Sequence, residues 1–354
     1  MLAVAFVISA LSVAILAMLT VREVANRPLN PFGGSVDSPV AVAAQEVADI
    51  SLDPLDQDGA LPSPDLSGSA DAAEEILTPI PTTTPADTNR VTVLVMGVDR
   101  RPGEPFISRT DSMMLLSVDP DTDTVSIMSI PRDLYVVIPG RGRDRINTAF
   151  VYGAAGNNPA GGAALAMQTV EYNLGVHVNH YVAVDFRAVE EGIDEIGGID
   201  IYVPKEIYDP TFPDMNYGYD PLYVAAGLQS MDGVTALRYA RTRHTDNDFN
   251  RAQRQQDVLL AVRDKVLALG LLEMTRLAPT LYQQLGDSVR TDMSLERLIG
   301  VATMASRVAE EDINTAVLDY NYVTSFTTET GAQVLILLND RASPLIEELF
   351  YAAQ

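Results

Sequence analysis

The chain has 354 residues and contains no cysteine. Without cysteine, disulfide bonds, zinc sites built on thiolates and thiol catalysis are excluded. Histidine is scarce as well, and His177, His180 and His244 are too scattered to indicate a metal cluster by their spacing. Lysine is limited to Lys205 and Lys265, so arginine carries almost all of the positive charge.

Several well-known phosphate and hydrolase motifs are also missing. No Gly-x-Ser-x-Gly elbow, Walker P-loop or Gly-x-Gly-x-x-Gly follows an expected strand, so a serine hydrolase, an NTPase and a dinucleotide-binding protein lack support. The formal net charge is −24. Because nucleic-acid affinity comes from positive potential, we expect no nucleic-acid partner.

The positive charge that is present is clustered. Residues 100–145 and 238–254 together hold 12 of the 22 arginines. The planar guanidinium group binds phosphate oxygens in pairs. Aspartates, which hold hard divalent cations beside phosphate, accompany both segments: Asp99 and Asp111 with the first, Asp246 and Asp248 with the second. The pattern predicts a site for a small phosphate-containing ligand.

The N-terminal residues 1–21 are almost wholly apolar and carry no charged side chain. About 20 such residues span a bilayer as a helix, and the stretch predicts an uncleaved, single-pass transmembrane anchor. Arg22 and Arg27 follow the span and no basic residue precedes it, which on charge alone places the C-terminal part inside. If the C-terminal part instead lies outside, an upstream start or the large domain that follows the span would account for the departure from the charge rule.

Two further regions follow the anchor. Residues 22–89 are rich in Pro, Ser, Thr and Asp, which predicts a disordered tether without a hydrophobic core. Residues 90–354 alternate β-branched runs with helical patterns, which predicts one α/β domain with a mostly β-sheet centre and helices on both faces. The Pro- and Tyr-rich segment 204–221 is interpreted as an ordered surface loop.

The first candidate site combines two aspartates with nearby arginines. Asp99 follows an expected strand at 91–97, where open α/β sheets bind ligands, and Asp111 precedes the next at 113–119. Two carboxylates meeting there would repel unless Mg²⁺ lay between them, although aspartates at strand ends also cap turns. Arg132 is a candidate anion ligand, whereas Asp133 suits a salt-bridged turn. Arg141 and Arg143 suit a solvated loop, as members of a glycine-containing stretch that ends at Arg145.

The second candidate site lies on an expected helix at 250–269. Asp248 suits its N-cap. One stripe of the helix points to the core and contains Arg251, Gln255, Leu259, Val262 and Val266. Because the apolar end of this stripe is buried, its Arg/Gln end is expected to point inward at the positive end of the helix dipole. A buried arginine needs a partner, which is either an incoming phosphate or an internal aspartate.

Taken in order, the motifs resemble those of the LytR–CpsA–Psr family of cell-wall glycopolymer transferases. The matching pieces are G-V-D-R with R-T-D-S-M-M-L, S-I-P-R-D, R-I-N-T-A-F, D-E-I-G-G-I-D, and A-L-R-Y-A-R-T-R ending in D-F-N-R-A-Q-R-Q. The resemblance covers residues 90–354. It implies an α/β/α sandwich with an apolar pocket for a polyprenyl tail, and Mg²⁺ as the cofactor.

The resemblance also implies roles for individual residues. Asp99 and Asp111 match the metal-linked aspartates. The residues that match the pyrophosphate-binding set are Arg109, Arg132, Arg241, Arg243, Arg251 and Gln255. Arg100 and Asp248 match positions around the same head group, and Arg145 stands where a lysine is common. Asn250 stands where a glycine is common, which alters the turn before the helix.

The activity implied by the resemblance is an extracytoplasmic, membrane-bound phosphotransferase. It moves a glycan phosphate from an undecaprenyl-pyrophosphate-linked precursor to a hydroxyl of peptidoglycan. Asp111, Asp248, Arg109 and Arg251 are the candidate catalytic residues, and either aspartate could accept the hydroxyl proton. The alternatives are a polyprenyl pyrophosphate phosphatase, with water as the acceptor, and a non-catalytic assembly factor that binds cell-wall lipids.

Overall fold

The computed structural model describes residue 80 and residues 89–100, 104–214, 218–243 and 247–351. The expected anchor at 1–21 and nearly all of the expected tether lie outside these residues. Within the described ranges, none of the helices combines the length and apolarity that a bilayer span requires.

Fourteen strands and seven α-helices are found in the described residues. The strands are β1 (Val91–Val98), β2 (Thr110–Asp119), β3 (Thr124–Ile130), β4 (Tyr135–Ile138), β5 (Gly142–Arg145), β6 (His180–Asp185), β7 (Ile199–Val203), β8 (Ile207–Asp209), β9 (Leu222–Val224), β10 (Gly227–Met231), β11 (Val289–Thr291), β12 (Ile313–Val317), β13 (Val323–Thr327) and β14 (Gln333–Leu337). The helices are α1 (Ala149–Gly153), α2 (Pro159–Leu174), α3 (Phe186–Glu195), α4 (Gly233–Arg241), α5 (Asp248–Leu285), α6 (Leu295–Ala305) and α7 (Asn339–Phe350).

A six-stranded mixed sheet forms the centre, in the order β11-β6-β1-β2-β3-β12. Strand β1 runs parallel to β6 and antiparallel to β2, and β12 runs parallel to β3. All eight residues of β1 and all seven of β3 are buried, which explains their unbroken apolar and β-branched sequence. Both faces of this sheet are therefore covered.

Successive residues of β1 face two different hydrophobic clusters. Val93 and Val95 belong to one, which also contains buried residues of α3, α4, α5 and α6. Leu94 and Met96 belong to the other, which contains buried residues of α1, α2 and α7. Side chains alternate between the faces of a strand, so helices cover the sheet on both sides. The expected α/β fold with a central sheet and helices is confirmed.

The start of β2 differs from the prediction. The strand begins at Thr110, so Asp111 lies within it and not in a preceding loop. Gly97 pairs with Ser112 and the next residue, Val98, pairs with Thr110, which leaves Asp111 as an extra residue in a β-bulge. A bulge redirects a side chain at the end of a strand. Here it occurs beside Asp99, the residue that follows β1.

The interpretation of residues 204–221 as an ordered surface loop is corrected in part, because the segment contains strand β8. Strand β7 pairs with β10, β8 pairs with β9, and a bridge between Pro213 and Tyr219 continues the pairing. The segment is the outer half of one interrupted two-stranded ribbon, hereafter the ribbon. Its inner face packs on the core through residues such as Phe212, which is 4% exposed, while Tyr208 and Tyr223 pair on the outer face. Strands of three residues contain too few alternating buried and exposed positions to be recognised in the sequence.

Two local expectations are also corrected. Asn247, not Asp248, caps α5, because its side chain accepts hydrogen bonds from the backbone N–H groups of Phe249 and Asn250. Arg143 lies in strand β5, which pairs with β4, and not in a solvated loop, whereas Arg141 is exposed in the turn before β5, as expected. The expected end of the helix at residue 269 coincides with Gly270, whose φ of 73° interrupts α5.

Gly233 allows close contact between α3 and α4. A Cβ at this position would collide with the carbonyl oxygen of Glu190, whereas a Cβ at Gly300 in α6 would meet nothing within 4 Å. We expect Gly233→Ala to lower the free energy of unfolding by about 1–3 kcal/mol through overpacking. Gly300→Ala, as the matched control, should raise it by about 0.5–1 kcal/mol. Urea denaturation of both variants measures this, and equal effects would contradict the assigned contact.

Candidate functional site

A cavity of about 480 Å³ opens where β1 and β6 end and α5 begins. Three groups of residues border it. The ends of β1, β2 and β3 supply Asp99, Asp111, Ser112 and Arg132, and the end of α4 and the start of α5 supply Arg241, Thr242, Arg243, Arg251 and Gln255. Phe186 and the ribbon residues Asp209, Thr211, Phe212 and Pro213 complete the wall. We call this the first cavity.

Arg132 and Asp111 form an ion pair on this wall. The Nη1 atom of Arg132 donates to Oδ1 of Asp111 at 2.6 Å. Burial lowers the pKa of Arg132, but the carboxylates of Asp111, Asp248 and Asp133 outweigh it and leave that pKa above its ordinary value. The guanidinium is thus held charged beside the bulged end of β2.

Arg241 has a different environment. Its guanidinium carbon lies 4.1 Å from the ring centroid of Phe186 and 5.7 Å from that of Phe212. Burial lowers its pKa, and the more distant charges of Asp99, Asp111 and Glu190 only partly offset this. Among the described residues it has neither a hydrogen bond nor an ion pair. Arg241 is therefore a partly desolvated cation that faces the cavity with no described carboxylate in ion-pair contact.

Arg251 joins helix α5 to the central sheet. It is 7% exposed, and its Nη2 atom donates to the Asp248 carboxylate at 2.8 Å and to the backbone carbonyl of Asp111 at 3.0 Å. Burial is the main cause that lowers its pKa, with Arg132 and Arg243 adding to it against Asp248. Its buried Nε has no hydrogen-bond partner within the described structure. Arg251 therefore has the internal aspartate partner that was one of the two expectations, and its unused Nε could still donate to the other, a phosphate.

The helical stripe expected to face inward does so. Gln255, Leu259, Val262 and Val266 are each less than 9% exposed, like Arg251. Gln255 reaches the first cavity, while the three apolar residues join the core beneath the sheet.

Not every predicted residue borders this cavity. Arg100 forms an ion pair with Asp185 at 2.6 Å, and Arg145 one with Asp133 at 3.2 Å. Arg109 is exposed in the stretch before β2. Their assignment to the pyrophosphate remains a prediction. Asp248 does not border the cavity, but it forms ion pairs with Arg243 and Arg251, which do. His244 and Asp246 lie outside the described residues.

Several wall residues were missed in the sequence. Phe186 follows β6, which lies parallel to β1, so the strand-end rule that selected Asp99 would have found it. Phe212 and Thr211 were hidden in the supposed loop. Arg254, in the same cluster as Arg251, has a structural role instead, since it donates to the backbone carbonyls of Tyr239 and Thr242 at the end of α4.

Two carboxylates of the first cavity, Asp99 and Asp111, are candidate Mg²⁺ ligands. Across the part of the chain that the structure describes, no three His, Cys, Asp or Glu side chains form a metal-binding group. Proteins often hold Mg²⁺ through one or two carboxylates and complete its shell with phosphate oxygens and water. Asp99 and Asp111 provide two hard oxygen ligands on one wall and fit that arrangement when a phosphate is bound.

Most residues that border the first cavity are polar or charged, and Phe186, Phe212 and Pro213 are the apolar ones. This cavity is not the apolar pocket that the resemblance implies for a polyprenyl tail, and that expectation stays a prediction. Met113, Met114 and Met128 are at most 2% exposed and fill the core on either side of the sheet.

Comparison with known proteins gives similar sequences in bacterial cell-wall enzymes. Polyisoprenyl-teichoic acid–peptidoglycan teichoic acid transferase TagU of Oceanobacillus iheyensis is 35% identical over 210 residues, which make up 59% of this chain and 60% of that protein. The transferase TagT of Bacillus subtilis, with the same descriptive name, is 32% identical over 212 residues, 59% of this chain and 62% of the relative. The match thus spans about 60% of these relatives' length.

Solved structures agree with the sequence comparison. The structure described as TagT bound to LIIa-WTA superimposes with a TM-score of 0.58 at 26% identity, covering 76% of this chain and 92% of the other. The model of the LytR_cpsA_psr family matches residues 66–350. That range contains the central sheet, its covering helices and every described residue of the first cavity. The chain belongs to the LytR_cpsA_psr family.

Proposed function

We propose that the chain is a membrane-anchored phosphotransferase that works outside the cytoplasm. It takes a glycan phosphate from an undecaprenyl-pyrophosphate-linked precursor and attaches it to a hydroxyl group of peptidoglycan. Family membership and the names of the relatives support transfer to peptidoglycan. The apolar residues 1–21 support the anchor, with residues 22–89 as the tether.

The observation that carries the proposal is the set of unused guanidinium donors in the first cavity. Among the described residues Arg241 has no hydrogen bond or ion pair from its guanidinium, although Asp99, Asp111 and Glu190 act on it from farther away, and Arg251 keeps one buried donor unused. A desolvated guanidinium is unfavourable until an anion pairs with it. A diphosphate supplies several oxygens that two guanidinium groups can bind at once. Arg132 and Arg243, on the same wall, add charge to this set.

The transfer needs charge stabilisation more than covalent catalysis. The acceptor oxygen bonds to the phosphorus that carries the glycan, the bond from that phosphorus to the bridging oxygen breaks, and undecaprenyl phosphate leaves. The arginines stabilise the charge that spreads over the phosphate oxygens. Asp111 and Asp248 are the two candidate acceptors of the hydroxyl proton; Asp248, which contacts Arg243 and Arg251, is the alternative if the carboxylate of Asp111 is shared by Arg132 and Mg²⁺.

Asp99 and Asp111 are the proposed Mg²⁺ ligands. When bound, the ion neutralises charge on the phosphate oxygens. Asp111 already accepts from Arg132 through Oδ1, so its other oxygen remains for the ion.

The proposal is tested by the fate of the glycan. The purified full-length chain is incubated with a lipid-linked glycan, peptidoglycan and Mg²⁺, and labelled glycan is followed. We expect label on peptidoglycan. Free glycan phosphate as the main product would instead support the phosphatase, and tight binding of the lipid without turnover would support the assembly factor.

Replacement of Arg241 separates function from stability. Arg241→Met keeps much of the apolar stem against Phe186 and removes the unpaired charge. We expect transfer to fall by about 10²–10³-fold, as when one preorganised donor is lost. Because no described ion pair is broken, the midpoint of thermal unfolding should be unchanged or higher. Arg141→Ala, from the same arginine-rich sequence but outside the cavity, serves as the control and should retain activity.

The metal assignment has its own test. Removal of divalent ions with EDTA should abolish transfer, and added Mg²⁺ should restore it. In Asp99→Asn we expect the half-saturating Mg²⁺ concentration to rise at least about 10-fold, since one hard ligand has become a neutral amide. Asp264→Asn removes an exposed carboxylate distant from the cavity and should not change the titration. The same Mg²⁺ dependence in all three proteins would contradict Asp99 as a ligand.

A further inference from the structure

A second cavity of about 660 Å³ lies against the first. The two share the side chains of Phe186, Phe212, Pro213 and Arg241. Helices α3 and α4 form its other sides, with Arg100 and Arg290 at one end and the ribbon residues at the other. A ligand held here therefore lies next to any phosphate in the first cavity.

Five arginines and six carboxylates border the second cavity, so their formal charges nearly cancel. Arg100 is paired with Asp185 at 2.6 Å, and Arg238 with Asp220 at 3.2 Å. Arg290 donates to the backbone carbonyls of its own strand and the preceding turn at 2.7 and 3.0 Å. The exposed Arg187 has a carboxylate partner in its own helix. Apart from the shared Arg241, these cations already have partners, so the cavity does not select an anion.

One half-buried carboxylate on the wall of the second cavity has no described hydrogen-bond donor. Glu190 projects from α3 and is half-buried, and among the described residues its carboxylate has no hydrogen-bond or ion-pair partner. Burial is the main cause that raises the pKa of Glu190, and nearby Arg241 opposes it. A half-buried carboxylate is stabilised by neutral donors such as hydroxyl or amide N–H groups.

Apolar side chains also border this cavity, together with further carboxylates at Glu104, Asp214 and Asp287. Phe186 and Val234, which is 47% exposed, border the same space as Glu190. Sugars combine hydroxyl donors with an apolar ring face, so they match a neutral cavity that offers an acceptor beside apolar side chains. The volume lies in the range of roughly 300–1,000 Å³ found for small-ligand sites.

We propose that the second cavity is a sugar-binding subsite in which Glu190 accepts a hydrogen bond from a hydroxyl or acetamido group. The inference rests on the proposed function, which brings sugars to this site from two sources. One is the acceptor strand of peptidoglycan, and the other is the first sugar of the lipid-linked donor. Both have the same chemistry, and the experiment separates them.

Two variants of the full-length chain test the subsite. Glu190→Gln replaces the acceptor carboxylate with an amide of the same shape, and Val234→Trp fills the mouth of the cavity from an exposed position. Glu195→Gln, on the same helix but outside the cavity, is the matched control. Calorimetry with soluble peptidoglycan glycan strands, without donor, gives the acceptor Kd. The transfer assay gives the half-saturating concentration of the donor.

If the cavity takes the acceptor sugar, the Kd for strands rises about 10-fold or more in both variants, the loss expected for a hydrogen bond to a charged group. If it takes the donor sugar, the half-saturating donor concentration rises by the same factor and strand binding is unchanged. Glu195→Gln should match the wild type in both measurements. Both variants behaving as wild type in both measurements would overturn the subsite.

Failure of the proposed function has a different signature. In that case the wild-type chain leaves peptidoglycan unlabelled. The Kd for glycan strands requires no donor, so it can still be compared between Glu190→Gln and the Glu195→Gln control.

Discussion

The guanidinium of Arg251 connects the first turn of α5 to the bulge at the start of β2 in the central sheet. One of its nitrogens donates both to the Asp248 carboxylate and to the backbone carbonyl of Asp111. Because these contacts are buried, the helix N-terminus and the end of β2 hold a fixed position relative to each other. The carboxylate of Asp111 then lies beside Arg132, and Gln255 faces the same space. The first cavity depends on this junction.

The two neighbouring cavities differ in how their charges are satisfied. In the first, the guanidinium of Arg241 lies over the rings of Phe186 and Phe212 and has no described ion-pair contact. In the second, Arg100, Arg187 and Arg238 form ion pairs, and the carboxylate of Glu190 has no described hydrogen-bond donor. One is suited to an anion and the other to a neutral, hydroxyl-rich group. The two cavities share a wall at Arg241 and Phe212, so the proposed phosphate and sugar sites adjoin, as the proposed transfer would require.

Sequence patterns located much of the first cavity because several of its residues obey simple rules. Asp99 follows a buried strand, and the apolar stripe of α5 fixes the inward direction of Arg251 and Gln255. The same rules did not find Phe212, because strands of three residues carry too little alternation to distinguish them from a loop. The position of Asp111 in a β-bulge could not be predicted either, because the bulge depends on how β2 pairs with β1, and the sequence of one strand does not fix that register. Asn247 replaced Asp248 as the helix cap because both residue types suit that position equally.

The amino-acid sequence by itself determined the α/β class, the clustering of arginine against an acidic background, and which side of α5 is buried, because composition and periodicity act locally along the chain. Only the tertiary structure decided which arginines meet. Arg100, Arg132 and Arg241 look alike in sequence, yet Asp185 pairs with the first, Asp111 with the second and no described carboxylate with the third. Pairing depends on side chains that are distant in sequence and come together only when strands β1, β2 and β6 align. That alignment is a property of the whole sheet, and it determines where a charge is left for a ligand.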